Sequence, residues 1–175
     1  MTVKNHTLVC LVEDQPGVLN RVMSLFRRRM FNAESVTVGH SEQPGLSRMT
    51  FVVKGDDETV EQVTKQLYKL LEVLKVTDLT DEPHVRRELA LVKLNANATN
   101  RAEIMQITQI YEGKVLDVSL TQMVVEIGGP ADKVDAFLGL MQPFGIREVA
   151  RTGTVVMTRP STGADTPVRL REDVA

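Results

Sequence analysis

The chain is poor in the residues on which most redox, catalytic and nucleic-acid-binding sites depend. Among 175 residues it has one cysteine, no tryptophan and only 4% aromatic residues. The single cysteine, Cys10, leaves no internal disulfide, and its apolar, strand-like surroundings favour a core role over a nucleophilic one. We therefore expect a protein of the reducing cytoplasm. Few aromatic rings also means few surfaces on which single-stranded nucleic acid stacks.

Charge and apolar runs argue against two further classes of protein. The formal net charge is −2, so there is no basic field to hold nucleic acid. No apolar run reaches the roughly 18 residues of a membrane span, and the first residues show no signal-peptide pattern. We expect neither nucleic acid nor a membrane as a partner.

Catalytic and metal-binding motifs are scarce as well. The three histidines, His6, His40 and His84, are scattered, without cysteine or carboxylate at metal-ligand spacing. There is no phosphate-binding loop and no G-x-G-x-x-G run. Ser47 and Ser119 have no base nearby in sequence, although a partner from elsewhere in the chain stays open. We expect no catalytic residue and no metal site. The scarcity of such motifs favours a binding or regulatory protein.

The periodicity of apolar residues predicts two halves with the same element order. The first half has strands at 6–12, 33–40, 47–53 and 75–79, with helices at 18–30 and after Asp56. The second has strands at 88–94, 114–120, 123–127 and 146–157 (with a break near Gly153), and helices that end near Gly113 and begin at Pro130. This order predicts an α+β protein with two ferredoxin-like βαββαβ domains, at residues 1–82 and 83–159. We expect the polar tail, 160–175, to be disordered.

Local patterns also predict which helix faces are buried and which residues cap the helices. The first helix should bury an apolar face, and so should the second; the members are Val18, Leu19, Val22, Met23, Phe26 and Met30, then Val60, Val63, Leu67, Leu70, Leu71 and Leu74. Asp56 is a good N-cap. Asn100 with Glu103 resembles a capping box at the start of the third helix.

The junction between the first strand and the first helix is the most informative stretch. Asp14, Gln15, Pro16, Gly17 and Val18 form a turn in which Gly17 allows close backbone approach and Pro16 adds stiffness. The first N–H groups of the helix lack helical partners and suit a carboxylate, while Asp14 suits an ammonium group. The turn therefore offers both charges that a free amino acid needs. An Asx-turn in which Asp14 only closes the helix start is the structural alternative.

Several segments, taken in order, carry a family resemblance. They are Asp14–Leu19 (DQPGVL), Phe31–Val38 (FNAESVTV), Leu46–Thr50 (LSRMT), Lys65–Leu70 (KQLYKL), Arg87–Lys93 (RELALVK) and Ile146–Gly153 (IREVARTG). The first half resembles an ACT domain, a small-ligand module of βαββαβ order. As a set, from about Thr7 to Arg159, the segments resemble the small, regulatory subunits of acetolactate (acetohydroxyacid) synthase.

The resemblance implies a role beside a catalytic partner. That partner, the large subunit, condenses two 2-keto acids with thiamine diphosphate, Mg²⁺ and FAD, the first common step toward valine, leucine and isoleucine. The small subunit is implied to be a homodimer with no catalytic site or cofactor of its own. It raises the activity of the large subunit and confers feedback inhibition, chiefly by valine.

The resemblance also implies where the effector lies, namely where two ACT domains meet. The residues it points to are Asp14, Gln15, Pro16, Gly17 and Val18 of one chain, with Asn32 and Ala33 of the other. We expect N–H groups around Gly17 and Val18 to hold the carboxylate, and Asp14, Asn32 or both to take the ammonium. Ala33 and Val18 should admit the branched side chain. For Asn32 the alternative is a left-handed residue that ends the helix.

Two departures from the family pattern affect this site. Several members have Asn in place of Asp14 and a bulkier aliphatic residue in place of Ala33. The first change adds a negative charge beside an anion-binding turn, and the second widens the side-chain pocket. The second half has Asn95–Thr99 in place of a Pro-Gly turn, so we expect no amino-acid site there but a role in dimerisation and in contact with the large subunit.

Two other functions compete with this reading. One is a free-standing ACT-type amino-acid sensor that controls another enzyme or a transcription factor. It would need a DNA-binding helix pair or an effector domain, and the sequence shows neither pattern. The other is an enzyme with a hidden site between the two halves.

Overall fold

The computed structural model describes residues 3–160, so the predicted disorder of 161–175 lies outside the described residues. Contacts divide the chain into two compact units. The first contains the described residues up to Val85 together with those from Val156 onward, and the second is Arg86–Val155. The domain limits expected at residues 82 and 159 stay predictions.

The first unit follows the predicted element order. Its elements are β1 (Lys4–Glu13), α1 (Val18–Arg28), β2 (Asn32–His40), β3 (Leu46–Gly55), α2 (Asp57–Leu67) and β4 (Val73–Asp78). The strands form an antiparallel sheet in the order β2-β3-β1-β4. This is the ferredoxin-like arrangement, in which each helix crosses over the sheet between its flanking strands.

Alternation along the strands decides which face of this sheet meets the helices. Leu8, Cys10 and Val12 of β1 are buried with Met49 and Phe51 of β3, and the intervening residues point to the other face. The helices add Val22, Phe26, Val60 and Val63 to this core, and the Phe26 ring stacks on Phe51 with centroids 5.0 Å apart. The core confirms the strand periods read from the sequence.

Both predicted helix faces include residues that the structure leaves exposed or places outside the helix. In α1, Leu25 is buried, whereas Leu19 and Met30 are exposed. Met30 lies beyond the helix end and takes a left-handed backbone with φ 57°. Likewise α2 ends at Leu67, so Leu71 is exposed and Leu74 belongs to β4. The reason is that residues following a helix can continue its apolar spacing by chance after the backbone has turned.

Asp56 caps α2 as predicted. Its carboxylate accepts the Thr59 N–H at 2.9 Å and the Thr59 hydroxyl at 2.7 Å. These hydrogen bonds lower the pKa of the Asp56 carboxyl, because they favour its charged form.

The second unit repeats the order of the first. It contains most of β5 (His84–Asn95), then α3 (Arg101–Ile110), β6 (Lys114–Val118), β7 (Gln122–Gly129), α4 (Ala131–Met141), a 3₁₀ turn (Gln142–Phe144) and β8 (Ile146–Arg151). These strands lie in the order β6-β7-β5-β8. After the predicted break, β9 (Val155–Thr158) leads back to the first unit, where Val156 is buried with Val9 and Leu79. The prediction of an α+β fold with two ferredoxin-like βαββαβ units is thereby confirmed.

The start of α3 corrects one prediction, because Asn100 and Glu103 form no capping box. The Asn100 side chain makes no capping hydrogen bond to the helix. Instead Asn97 organises the turn: its side-chain oxygen Oδ1 accepts the N–H groups of Thr99 at 2.9 Å and Asn100 at 3.1 Å. An Asx-type turn has replaced the capping box, three residues earlier in the chain.

We expect this difference to be measurable. Asn97→Ala removes the shared acceptor and should lower the free energy of unfolding by about 1 kcal/mol, the usual cost of losing such a side chain at a helix start. Glu103→Ala, the matched control, should stay within about 0.5 kcal/mol of the parent protein. Urea unfolding followed by circular dichroism gives both values. A larger loss of unfolding free energy for Glu103→Ala than for Asn97→Ala would contradict this assignment and support the capping box.

Candidate functional site

The turn between β1 and α1 has the backbone shape that the sequence indicated. Gly17 has φ 89°, a left-handed conformation that side chains rarely adopt, and it precedes the first helical residue. Asp14, Gln15, Pro16 and Gly17 are all exposed. The turn is therefore an open feature at one end of the sheet.

Three contacts fix this turn to the rest of the unit. The Glu13 N–H donates to the Glu72 carbonyl at 2.9 Å, and the Asp14 N–H donates to the Gly45 carbonyl at 2.8 Å. Arg21, one turn into α1, donates to the Glu72 carboxylate, which is nearly buried. The turn is thus attached to the β2–β3 connection on one side and to the segment before β4 on the other.

The free N–H groups lie slightly further along than predicted. The Val18 N–H already donates to the Gln15 carbonyl at 3.3 Å. The N–H groups of Leu19 and Asn20 have no acceptor within residues 3–160, and no side chain caps the helix. A carboxylate placed before α1 would meet these two groups and the positive end of the helix.

Asp14 does not close an Asx-turn in this structure. Its carboxylate oxygen Oδ2 lies 3.0 Å from Nδ1 of His40, the last residue of β2. Its carboxylate is 43% exposed and so remains accessible. Of the two roles considered for Asp14, the structural alternative of capping the helix is wrong.

Asn32 and Ala33 lie at the opposite end of the same sheet. Asn32 pairs with Lys54 and His40 with Ser47, while in the neighbouring ladder Asn5 pairs with Lys54 and Val12 with Ser47. Asn32 is therefore level with Asn5, and the turn begins after Glu13. Eight residues of strand separate these levels, roughly 26 Å at about 3.3 Å per residue. The structure brings residues 14–18 together but does not bring Asn32 and Ala33 to them within one chain.

The side chains at these positions differ in what they offer a ligand. Val18 is only 4% exposed and packs in the first core, so only its main chain faces the turn. Ala33 is half-buried against the edge of that core. Asn32 is exposed and begins β2. The left-handed residue after α1 is Met30, so the alternative role of Asn32 as a helix-ending residue is wrong.

Strand pairing brings Ser47 next to a possible base, a pairing that the sequence left open. The register does place Ser47 opposite His40. However, Ser47 is only 5% exposed, and no hydrogen bond joins its hydroxyl to the imidazole among the described residues. Ser119 is used in the β6–β7 turn, where its hydroxyl accepts the Gln122 N–H at 3.0 Å. The described structure therefore gives neither serine a contact with a base.

The described residues also bear on metal binding, on membrane insertion and on the turn before α3. Within residues 3–160, no group of three or more His, Cys, Asp or Glu side chains is placed to hold a metal ion. No helix among those residues is long and apolar enough to cross a membrane. In the second unit, residues 97–100 form the Asn97 turn, in which the N–H groups of Asn97, Thr99 and Asn100 donate to side-chain oxygens.

Sequence reasoning missed His40, Gly45 and Glu72 as parts of the site. His40 and Gly45 lie near the turn because β1 and β2 both pair with β3, and Glu72 lies near it in the segment before β4. All three are far from the turn in the sequence. The only available signal was the pairing of β1 with β3 and of β2 with β3, which would have placed His40 beside the end of β1.

Two family models match the chain. Residues 8–75 match the model described as "AHAS small subunit-like ACT domain", and residues 87–160 match "Small subunit of acetolactate synthase". The first half is thus an ACT domain, the class of domain that its sequence segments resemble.

Relatives extend this match over nearly the whole chain. A Methanothermobacter thermautotrophicus protein named "Probable acetolactate synthase small subunit" is 50% identical over 92% of this chain and 96% of its own. The acetolactate synthase small subunit of Mycolicibacterium smegmatis is 47% identical over 90% of this chain and 93% of its own. The crystal structure of the small subunit from Thermotoga maritima matches with a TM-score of 0.85 and 46% identity, over 90% of this chain and 99% of that one. The chain belongs to the acetolactate synthase small subunit family, which confirms the resemblance.

The environment of Cys10 leads to a prediction about its chemistry. The thiol is 1% exposed, and burial raises its pKa to about 12. Since the thiolate is the reactive form, we expect the folded protein to resist a thiol reagent such as dithionitrobenzoate at about pH 8. The same reagent should label each chain once in urea, and Cys10→Ala supplies the blank. Labelling of the folded protein at the rate of a free thiol would contradict the core assignment.

Proposed function

We propose that this chain raises the activity of the catalytic large subunit of acetolactate synthase and makes it sensitive to valine. Family membership supports the partnership, and the open turn before α1 supports the binding of an amino acid. The catalytic chemistry, with thiamine diphosphate, Mg²⁺ and FAD, belongs in this proposal to the large subunit. This chain contributes an effector site.

The observation that carries the proposal is the position of Asn32 relative to the turn. The two lie at opposite ends of one sheet, so one chain alone does not assemble all seven proposed residues. A second copy placed antiparallel along β2 brings the Asn32 end of one strand to the His40 end of the other. In that arrangement the turn of each copy faces Asn32 and Ala33 of its neighbour, and the two sites are equivalent by symmetry.

The β2 edge has the properties that such a homodimer needs. Among described residues the only strand that pairs with β2 is β3, so β2 is an edge strand, and an edge strand can pair with a strand of another chain. From Ser35 to Gly39 this strand carries no charge that would block pairing. Leu19 and Val38 near the turn and Met30 near Asn32 are exposed, and these are the apolar side chains that a second copy would cover.

The chemistry of the turn suits an amino acid rather than a simple anion. The N–H groups of Leu19 and Asn20 would hold the carboxylate, two residues further along the chain than Gly17 and Val18, the positions first expected. Asp14 and the second copy's asparagine would share the ammonium, and the wall beside Ala33 would receive the branched side chain. Valine has about eight heavy atoms, and small ligands gain roughly 0.3–1.5 kcal/mol per atom, so micromolar to millimolar binding is reasonable. Coupling of about 1–3 kcal/mol to the large subunit would suffice for feedback.

The partnership is tested by mixing purified subunits. We expect the chain alone to form no acetolactate, to co-purify with an acetolactate synthase large subunit and to raise its rate. Valine should lower the rate of the mixture more than that of the large subunit alone. A large subunit that neither binds this chain nor changes its rate would contradict the proposal and favour the free-standing sensor.

The turn is tested by a matched pair of variants at Gly17. A Cβ at this position meets no atom within 4 Å, and Asp and Asn both tolerate the left-handed backbone. Gly17→Asp places a negative charge beside the expected carboxylate, so we predict valine binding weakened by at least about tenfold, ~1.4 kcal/mol. Gly17→Asn has the same shape without the charge and should keep most of the affinity.

Isothermal titration with valine compares the two variants, and urea unfolding verifies that both are folded. Equal affinities for the Asp and Asn variants would mean that no carboxylate lies next to Gly17.

A further inference from the structure

We propose that His40 is a positioning residue for the ammonium group of the effector. Its imidazole holds the Asp14 carboxylate in place and, when protonated, weakens the hold of that carboxylate on an amino acid. This inference rests on the function proposed for the turn, and it assigns to that site a residue outside the seven predicted from the sequence.

The contact itself sets the donor and the acceptor. His40 Nδ1 lies 3.0 Å from Asp14 Oδ2, and because an ionised carboxylate only accepts, Nδ1 must carry the hydrogen. Among the described residues this imidazole is the only recorded partner of the carboxylate. Oxygen Oδ1 is therefore left for a second donor, such as an ammonium group.

Main-chain hydrogen bonds hold both ends of the contact. The Asp14 N–H donates to the Gly45 carbonyl at 2.8 Å, and the Ser41 N–H donates to the Leu46 carbonyl at 2.9 Å. Asp14 and the β2–β3 connection that follows His40 are thus joined through the backbone. This sets the pair apart from two long surface side chains that meet by chance.

Electrostatics gives the pair a consequence for binding. A carboxylate beside a turn that receives another carboxylate is unfavourable unless its charge is shared, and the imidazole N–H shares it. When the imidazole gains a proton, its positive charge lies next to the place where the ammonium would sit. Two cations on one carboxylate repel each other, so the affinity for the amino acid should be lower when the imidazole is protonated, which acidic pH favours.

Other charged groups near the pair have partners or remain the same in every variant. Glu13 at the end of β1 accepts from Gln15 at 2.8 Å. Glu42 lies in the β2–β3 connection, and Arg48 of β3 pairs in register with Gly39. Their contributions cancel when the parent and a His40 variant are compared at the same pH.

The experiment is titration of the full-length protein with valine at about pH 5.5 and at about pH 7.5. For the parent we expect affinity to be about two- to fivefold lower at the acidic pH, the size of an exposed charge interaction. His40→Gln keeps an N–H donor but does not titrate. Its affinity for valine should equal that of the parent at the higher pH and should be the same at both pH values. The affinity of Asp14→Asn should also be the same at both pH values.

His84→Gln is the matched control, because His84 is remote in sequence and its Nδ1 lies 2.7 Å from the Glu82 carbonyl rather than from a carboxylate. It should keep the parent's pH dependence. Equal pH dependence in the parent and in His40→Gln would overturn the role of His40 while valine binding still stood. Absence of valine binding at both pH values would overturn the function proposed for the turn itself.

Discussion

Strand register in the first sheet is the constraint on which the account of this protein depends. Because β2 and β1 both pair with β3, Asn32 lies level with Asn5, and the Gly17 turn follows the far end of β1. No side-chain rotation closes a gap of roughly 26 Å along the strands. If the turn and Asn32 serve one ligand, the ligand must lie between two copies, and binding is linked to assembly.

The turn combines a fixed backbone with unsatisfied polar groups. Contacts with Gly45 and Glu72 hold it, while the N–H groups of Leu19 and Asn20 stay without partners in the described structure. Such groups are costly to bury unless a ligand satisfies them. In the second unit Asn97 fills the corresponding turn with its own side-chain oxygen. This second turn lacks the Pro-Gly pair of the first, and the absence of an effector site there stays a prediction.

Local chemistry was readable from the sequence, and distant pairing was not. Gly17 and Asp56 behave as predicted because each acts on residues within a few positions of itself. Leu19 and Met30 were misplaced because helical spacing says nothing about where the backbone leaves the helix. Asn97 was missed because an Asx-turn and a capping box use the same residue types at similar spacing. The contact of His40 with Asp14 depends on register, which a pattern along one strand does not contain.

The most direct test of the composite site is complementation between two defective chains. Gly17→Asp damages the turn and Asn32→Ala damages the opposite wall, so each variant alone should bind valine poorly. Unfolding and reassembling the two together should create mixed dimers in which one site pairs an intact turn with an intact Asn32. We predict that valine binding, measured by calorimetry, reappears in the mixture. Binding in the mixture no greater than in the separate variants would show that the two residues do not meet across a pair of chains.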